Sequence, residues 1–345
     1  MKIILLIACL VVVVSISGCT SPVCIPFLGD CDVTSDTDDV IIIRSLEAIP
    51  STITSGQQTR IIAHIQNVGD KSIQDVVKSI NQSDVKTRSD GVALNGIEIK
   101  LFDYCEGLFT IDVINCPGDK GFDNKKGCVI EDLFPQEIKQ VDWILTAGDV
   151  AFTTTCPKQG MGVYVRYPYK TEGFSTIAFI HSEELQRQIE QGTYTKLESE
   201  TVVGAGPVKA VLIVEDQQPV AASISDKKAT TTVSLQMRNA GGGFPVSFSK
   251  TGETDSGKDK IHIRKAWYDV DLKGLADSNN ECAFDGPEKR DIKLIDREST
   301  KLLCEANVLP DSKVTKETTR TMTVDVSYQY EFGKKVKVTV EAPGF

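Results

Sequence analysis

From Val40 onward, apolar and polar residues alternate in short runs that are rich in isoleucine, valine and threonine. Glycine, asparagine, aspartate and proline break these runs. In RIIAHIQNVGD, for instance, Ile61, Ala63 and Ile65 fall on one face before a turn at residues 67–69. Alternation with a period of two is typical of half-buried strands. The pattern therefore predicts an all-β fold.

A later run, GVYVRYPY, carries the same alternation with aromatic residues in it. Val163, Val165, Tyr167 and Tyr169 share one face of the predicted strand. We expect the two tyrosines to lie in the core rather than to form a ligand platform. Pro168 has no backbone N–H, so the strand is expected to meet a sheet edge or a bulge there.

One stretch, HSEELQRQIEQG, has helical character. Leu185 and Ile189 are four residues apart, Ser182 can cap a helix and Gly192 can end it. These signals predict one short helix. Because polar residues follow the helix, we interpret residues 181–207 as a connector between two domains.

The second half of the chain repeats the first. TTTVSLQMRNAGGG matches RIIAHIQNVGD, KIHIRKAWYD matches GIEIKLFDY, and VDVSYQYEF matches VYVRYPYKT. The offsets are 172 (239 − 67), 164 (261 − 97) and 161 (324 − 163), a drift that loops absorb at small cost. Asn67 and Asn239 end the first matching pair of strands and are expected to fix turns. The third match aligns residues 163, 165, 167 and 169 with Val324, Val326, Tyr328 and Tyr330.

Two such copies predict two tandem β-sandwich domains, at residues 40–180 and 208–345, joined by the short helical connector. A strand ending in N-x-G, a middle I-x-I strand and a late V-x-V-x-Y-x-Y strand resemble the immunoglobulin-like, CARDB-type modules of bacterial and archaeal surface proteins. The resemblance covers residues 40–180 and 208–342. It implies an immunoglobulin-like fold and a surface protein of a prokaryote, with an archaeon as one candidate source.

The start of the chain has the pattern of an export signal. Lys2 precedes an apolar run over residues 3–14, and small residues follow, which predicts a signal peptide over residues 1–18. The run is shorter than the about 20 residues that a membrane-spanning helix needs. Its ending, ISGC, resembles a prokaryotic lipobox, which implies that Cys19 becomes lipidated. The alternative is an ordinary cleaved signal with Cys19 as a chance residue.

The charge balance bears on the partners. The chain has 38 basic and 48 acidic residues, a formal net charge of -10, which argues against a nucleic-acid binder. Residues 20–39 contain five aspartates and no basic residue. We therefore predict that residues 19–39 form a solvated acidic tether between the lipid and the first domain.

Cysteine usage points to disulfides. Of ten cysteines, Cys9 lies in the predicted signal and Cys19 is the proposed lipid site. An even number of cysteines in an exported chain indicates a disulfide set. The competing zinc site needs cysteine pairs two to four residues apart, which the sequence lacks, so no metal or cofactor is predicted. The eight expected disulfide cysteines are Cys24, Cys31, Cys105, Cys116, Cys128, Cys156, Cys282 and Cys304.

The sandwich resemblance also implies disulfide partners. It places the end of one strand beside the start of another, which pairs Cys105 with Cys156 and Cys116 with Cys128. Four cysteines permit three connectivities, so other pairings stay open here. The remaining expected pairs are Cys282–Cys304 in the second half and Cys24–Cys31 in the tether.

Enzyme motifs are not evident. The sequence has no G-x-S-x-G, H-E-x-x-H or phosphate-binding glycine loop, and its three histidines are scattered. We expect a non-enzymatic protein on the outer face of the cell membrane, held there by its lipid, with a protein or glycan partner. Its role would be adhesion, envelope assembly or that of a spacer.

Two other functions compete with this expectation. A solute-binding or accessory subunit of an envelope transport or secretion complex predicts a cleft between the domains and an ordered connector. An envelope hydrolase that uses loop carboxylates is the third hypothesis. Phe122 and Phe244 are the aromatic residues expected at a binding surface, although we favour the interpretation that both side chains fold back onto the sandwich.

Overall fold

A computed structural model describes residues 38–80, 96–102, 105, 107–118, 121–122, 126–197, 201–222, 229–246, 265–266, 292–295, 297–299, 301–308 and 317–342. Its elements in chain order are β1 (Ile41–Ile49), β2 (Thr52–Thr54), β3 (Gln58–Asn67), α1 (Ile73–Ser79), β4 (Ile97–Phe102), β5 (Phe109–Asn115), β6 (Gly121–Phe122), β7 (Gly127–Ile130), β8 (Ile138–Ala147), β9 (Thr154–His181), α2 (Ser182–Glu190), β10 (Thr201–Val203), β11 (Val208–Val214), β12 (Val220–Ala222), β13 (Ala229–Asn239), β14 (Phe244–Val246), β15 (Lys265–Ala266), β16 (Ile292–Ile295), β17 (Glu298–Ser299), β18 (Leu302–Val308) and β19 (Glu317–Glu341). Strands dominate, so the fold is all-β as predicted.

The first sheet has four antiparallel strands in the order β1-β3-β8-β5. Ile61, Ala63 and Ile65 of β3 are fully buried, as their alternation predicts, and Trp143 lies opposite Ile61 on β8. The Trp143 indole nitrogen donates to the Lys126 carbonyl at 3.1 Å. Lys126 directly precedes β7, which belongs to the second sheet. The buried faces of the two sheets belong to one apolar cluster.

The central sheet is built on two long strands, one from each half of the chain. β9 and β19 pair antiparallel from Ile180 opposite Glu317 to Thr154 opposite Val340. The sheet order is β14-β19-β9-β4-β7-β6, and β10 and β12 also pair with β9 while β2 pairs with β19. The late strands of the two repeats are therefore direct neighbours, and contacts do not divide the described chain from residue 38 onward into separate units.

The register of β9 and β19 follows the internal repeat. Residues of β19 are equivalent to those 161 positions earlier in β9, and the register places Tyr167 opposite Tyr330 and Tyr169 opposite Tyr328. Pro168 therefore lies opposite its own equivalent, Gln329. An approximate local two-fold axis through this pair relates the two long strands.

A third sheet is formed by strands from the second half of the chain. Its described strands run in the order β11-β13-β17-β16-β15, and β18 also pairs with β13. Val233, Leu235 and Met237 of β13 are buried, as the match to β3 predicts. β11 and β13 thus correspond to β1 and β3, and the apolar faces of all three sheets share the same core cluster.

Both described helices are short. α1 begins after Ser72, whose hydroxyl accepts from the Asp75 N–H, and it buries Ile73 and Val76. α2 lies in the stretch for which a helix was predicted, but its N-cap is His181 rather than Ser182. The reason is that the His181 Nδ1 accepts from the Glu183 N–H, so the side chain one position earlier performs the capping.

Pro168 lies where strand pairing on one side of β9 is interrupted, as expected. On that side, β4 pairs with β9 only as far as Arg166, and the next pairing partner, β10, lies opposite residues 173–175. Among the described residues, no strand pairs with β9 between these points. The missing N–H therefore leaves the ladder with β19 intact.

Candidate functional site

Two disulfides join strands of the first half of the chain. Cys105, after β4, is bonded to Cys156 of β9, and Cys116, after β5, is bonded to Cys128 of β7. The Cα–Cα distances are 5.7 and 5.6 Å. These are the pairs that the sandwich resemblance implied. They indicate an oxidising, exported environment for the folded chain.

The other predicted cysteine sites lie outside the described residues. Cys19, Cys24, Cys31 and Cys282 belong to undescribed segments, and the side chain of Cys304 is not described although its backbone is in β18. Lipidation and the two further disulfides stay predictions. Within the part of the chain that the structure describes, no helix is long and apolar enough to cross a membrane.

Four buried tyrosines surround the local two-fold axis; we call Tyr167, Tyr169, Tyr328 and Tyr330 the tyrosine cluster. The ring centroids of Tyr167 and Tyr330 are 5.8 Å apart, and those of Tyr169 and Tyr328 are 6.1 Å apart. Such separations are typical of packed aromatic pairs. The prediction that these residues are core aromatics is confirmed, because none is more than 3% exposed.

The hydroxyl groups of the cluster are not equally satisfied. Tyr328 accepts from the Val208 N–H at 3.1 Å and lies 2.9 Å from the Thr171 hydroxyl. Its repeat equivalent, Tyr167, is equally buried, but its hydroxyl faces the Val40 backbone without reaching hydrogen-bond geometry. The repeat is therefore symmetric in packing and asymmetric in hydrogen bonding.

Burial also raises the pKa of these phenols, because the charged form loses its hydration. The pKa of Tyr169 is raised to about 12, mainly by burial and further by the charges of Asp70 and Glu172. Burial raises the pKa values of Tyr167 and Tyr328 well above the ordinary value. All three therefore stay neutral at physiological pH, which agrees with a structural role.

The two predicted turn asparagines act as expected. The side-chain Oδ1 of Asn67 accepts from the Gly69 N–H at 2.9 Å, and the side-chain Oδ1 of Asn239 accepts from the Gly241 N–H at 3.2 Å. Tyr330 donates to the same Asn239 oxygen at 2.9 Å. The second turn is thus tied directly to the tyrosine cluster.

The residues that enter the first repeat contact the second repeat. Asp39 accepts from the Gly242 N–H, with its Oδ2 at 3.0 Å, and Asp38 lies 3.2 Å from the Lys209 ammonium. A Cβ added at Gly241 would lie 2.3 Å from both the Asp39 carboxylate and the Tyr330 hydroxyl. Only glycine permits this close approach, so the turn sequence and the entry segment are fitted to each other.

The best candidate for a functional surface is a row of side chains on the face of the central sheet that points away from the tyrosine cluster. Neighbouring strands place Phe244, Glu331, Arg166 and Glu98 side by side; we call these four residues the charged row. Arg166 donates from Nε and Nη2 to Glu331 Oε2, at 3.0 and 2.6 Å. Its guanidinium also lies 5.9 Å from the centre of the Tyr164 ring.

Burial and charge act in opposite directions on Arg166. Burial alone lowers the pKa of its guanidinium, but the negative charges of Glu331 and Glu98 outweigh that effect and raise it. The arginine therefore stays charged between two carboxylates. This arrangement links β19, β9 and β4. The row carries one excess negative charge beside the aromatic ring of Phe244.

Phe244 at the end of the row is 55% exposed, so the interpretation that it folds back onto the sandwich is wrong. It lies on the short strand β14, opposite Glu331, on the solvent face of the sheet. Pairing with β19 fixes this orientation, and the loop sequence could not show it. The side chain of Phe122 lies outside the described set.

A second polar network lies on the outer face of the first sheet. Asp142 is only 3% exposed and accepts from Arg60 Nε at 2.8 Å, Asn115 Nδ2 at 2.7 Å and Gln140 Nε2 at 3.1 Å. Burial raises the pKa of this carboxyl, but the three donors and the charge of Arg60 together lower it below the ordinary value. The network is consistent with stabilisation of the sheet.

No cluster of three or more histidine, cysteine, aspartate or glutamate side chains is placed to hold a metal ion, within the ranges that the structure describes. Comparison with protein-family models and with curated proteins gives no match for this chain. The functional argument therefore depends on the sequence patterns and on the geometry above.

Sequence reasoning did not find the charged row. The alternation of GVYVRYPY puts Arg166 on the opposite face from Tyr167, but its partner Glu331 is 165 residues away and Glu98 is on a third strand. The only signal available in advance was a charged residue in an otherwise apolar and aromatic strand. Such a residue needs a partner, and the identity of the partner follows only from strand pairing.

Proposed function

We propose that the chain is a lipid-anchored, non-enzymatic protein of a prokaryotic cell surface, with two immunoglobulin-like, CARDB-type sandwiches. The observation that carries the proposal is the pair of disulfides, which belong in an oxidising compartment. The apolar run over residues 3–14 and the ISGC sequence that follows it, which ends at Cys19, supply the export and attachment signals. In this proposal the signal peptide covers residues 1–18 and the acidic tether covers residues 19–39.

The fold supports a role as a rigid surface body in adhesion, in envelope assembly or as a spacer. The two repeats share one continuous sheet through β9 and β19, which resists hinge motion between them. Disulfides further restrict the ends of β4 and β5. Such a body holds exposed groups such as Phe244 in a fixed orientation relative to the rest of the sheet.

Membrane attachment tests the proposal directly. A Cys19→Ser variant, expressed in a prokaryote that processes lipoproteins, is expected to leave the membrane fraction and appear as released protein. Cys9→Ser is the matched control, because it removes another cysteine of the same leader without touching the lipid site. Retention of Cys19→Ser in the membrane at the level of the control would contradict lipid anchoring through this residue.

The alternative of an accessory subunit in an envelope transport or secretion complex has one observation in its favour. β10, near the end of the predicted connector, pairs with β9 opposite residues 173–175, so this part of the connector is ordered rather than freely hinged. Chemical cross-linking in intact cells separates the two functions. A reproducible cross-link to a membrane transporter or secretion component favours the accessory role.

A further inference from the structure

A turn with three successive glycines leads directly to the exposed Phe244. Residues 239–243, with the sequence Asn-Ala-Gly-Gly-Gly, form this segment, which we call the triglycine turn. Glycine loses more conformational freedom on folding than any other residue, so three in a row favour a mobile chain. Each of the three glycine N–H groups nevertheless has a hydrogen-bond acceptor. The order of this turn therefore depends on those acceptors.

The three acceptors come from different parts of the chain. The first glycine N–H donates to Oδ1 of Asn239, within the turn itself, at 3.2 Å. The last donates to the Tyr330 hydroxyl of β19 at 2.8 Å. The middle one, of Gly242, donates to the Asp39 carboxylate, at 3.0 Å to Oδ2 and 3.2 Å to Oδ1. The acceptor for the middle N–H is thus supplied by the segment that leads into β1, 203 residues earlier in the chain.

The segment that supplies this carboxylate is itself held in place; we call Asp38 and Asp39 the strap. Asp38 Oδ1 lies 3.2 Å from the Lys209 ammonium of β11, and the Asp38 side chain is 49% exposed. The carbonyl of the next residue, Val40, accepts from the Val68 N–H of the first repeat at 2.8 Å. The strap therefore connects the start of the first repeat to a turn of the second.

The equivalent turn of the first repeat is built differently. The pairing of β11 with β13 matches that of β1 with β3, and it places Gly206 at the position equivalent to Asp39. Glycine has no side chain, so no carboxylate can reach the first turn from this position. That turn, residues 67–70, contains a single glycine, whose N–H donates to Oδ1 of Asn67. The turn with three glycines is thus the one that receives a carboxylate from the strap.

We propose that the strap is a conformational device that orders the triglycine turn and thereby holds Phe244 in its exposed position. With the strap docked, the Gly242 N–H is bound and β14 begins at Phe244. With the strap released, that N–H loses its acceptor and the glycines gain conformational freedom. Because such coupling is reciprocal, a partner that fixes Phe244 also favours the docked strap. The inference rests on the proposed function, in which the strap is the end of the tether and Phe244 is an exposed contact group.

Hydrogen exchange of the glycine amides tests the device in the purified chain with its disulfides intact and with [15N]glycine incorporated. Asp39→Ala is expected to speed exchange of the Gly242 amide by about 10- to 100-fold, because a hydrogen bond to a charged group is lost. Asp39→Asn keeps a neutral oxygen acceptor at the same position, so its effect should be at least about threefold smaller. The Gly69 amide, in the turn of the first repeat, is the internal reference and should change by less than about twofold.

The matched control is Asp70→Ala, which removes an exposed carboxylate from the turn of the first repeat and gives the same net charge. It is expected to leave exchange of the Gly242 amide within about twofold of the unchanged chain. A 4-fluorophenylalanine incorporated at position 244 reports on the motion of the ring. Its fluorine resonance is expected to narrow in Asp39→Ala, as the ring gains rapid motion, and to stay unchanged in the control.

Each other outcome overturns the inference. Unchanged exchange of the Gly242 amide in Asp39→Ala would mean that the strap does not order the turn. Equal acceleration at Gly242 and Gly69 would assign the effect to a general loss of stability. Faster exchange with an unchanged fluorine resonance would separate the strap from the position of Phe244. Membrane attachment through Cys19 is measured separately by fractionation, so the inference and the proposed function can fail independently.

Discussion

Replacement of two equivalent tyrosines by phenylalanine should have unequal effects on the free energy of unfolding. Tyr328→Phe removes a hydroxyl that bonds the Val208 N–H and the Thr171 side chain, and all three groups are buried. Tyr167→Phe removes an equally buried hydroxyl that faces the Val40 backbone without reaching hydrogen-bond geometry. Both rings pack against Tyr169 and Tyr330, and Tyr167 also packs against Phe332.

The magnitudes follow from hydrogen-bond energetics. Each lost bond costs about 0.5–1.5 kcal/mol, and a buried N–H left unpaired adds its own desolvation cost. We expect Tyr328→Phe to lower the free energy of unfolding by about 2–3 kcal/mol. Tyr167→Phe should change it by less than about 0.5 kcal/mol or raise it by up to about 1 kcal/mol, because the unsatisfied hydroxyl is itself costly.

The assay is urea unfolding at pH 7 with the disulfides intact, monitored by fluorescence. The curves of all variants are fitted with one common slope of the free energy of unfolding against urea concentration. A thermal scan should show the same order, with Tyr328→Phe lowering Tm by about 4–9 °C. Thr171→Val provides an intermediate case, since it removes only one of the two bonds. Equal destabilisation by the two phenylalanine variants would refute the asymmetry of hydrogen bonding in the tyrosine cluster.

Three further predictions concern the disulfides and the ionisable groups. Serine replacement of both cysteines of the Cys105–Cys156 bridge should lower the free energy of unfolding in urea by about 4 kcal/mol. The same replacement of the Cys116–Cys128 bridge should lower it by about 3 kcal/mol, because that bridge closes a loop of 12 residues rather than 51. Because the folded-state pKa values of the tyrosine cluster are raised, its contribution to the free energy of unfolding is fully present below about pH 10 and is lost above it. Absorbance at 295 nm should show these phenols ionising only as the chain unfolds. The folded-state pKa of Asp142 is lowered, so its contribution to the free energy of unfolding is present above about pH 4 and is lost as the pH falls through the folded-state pKa. Asp142→Asn should therefore reduce the difference in the free energy of unfolding between pH 7 and pH 3, measured by urea unfolding.

Much of the strand pattern could be predicted from the alternation of residue types. Ile97 and Ile99 in the first half and Val324 and Val326 in the second are buried on the expected faces. The alternation identifies the buried face of a strand because successive side chains point to opposite sides. The same reasoning identified the tyrosines as core residues.

The pairing of β9 with β19 could not be predicted in this way. The matching V-x-V-x-Y-x-Y runs specify a buried face in each half, but the same faces would be buried if each strand paired only within its own repeat. Strand length was also underestimated, because Gly173 and the charged Glu172 interrupt the apolar pattern while β9 continues to His181. Pairing with an equally long partner sustains the strand through that interruption.

The charged row depends on this pairing. Arg166 meets Glu331 only because the two repeats share a sheet. Helix α1 was missed for a different reason, since its seven residues are too few to show a clear helical period. Long-range pairing, rather than local propensity, therefore accounts for most of what the sequence could not reveal.

The most direct test of the proposed function is the intact mass of the protein purified from membranes of a lipoprotein-processing prokaryote, measured with and without reduction. The account predicts a chain that begins at Cys19, carries acyl groups and gains eight hydrogens on reduction, two for each of four disulfides among its eight remaining cysteines. An unacylated chain whose mass is unchanged by reduction would contradict both lipid anchoring and export to an oxidising compartment.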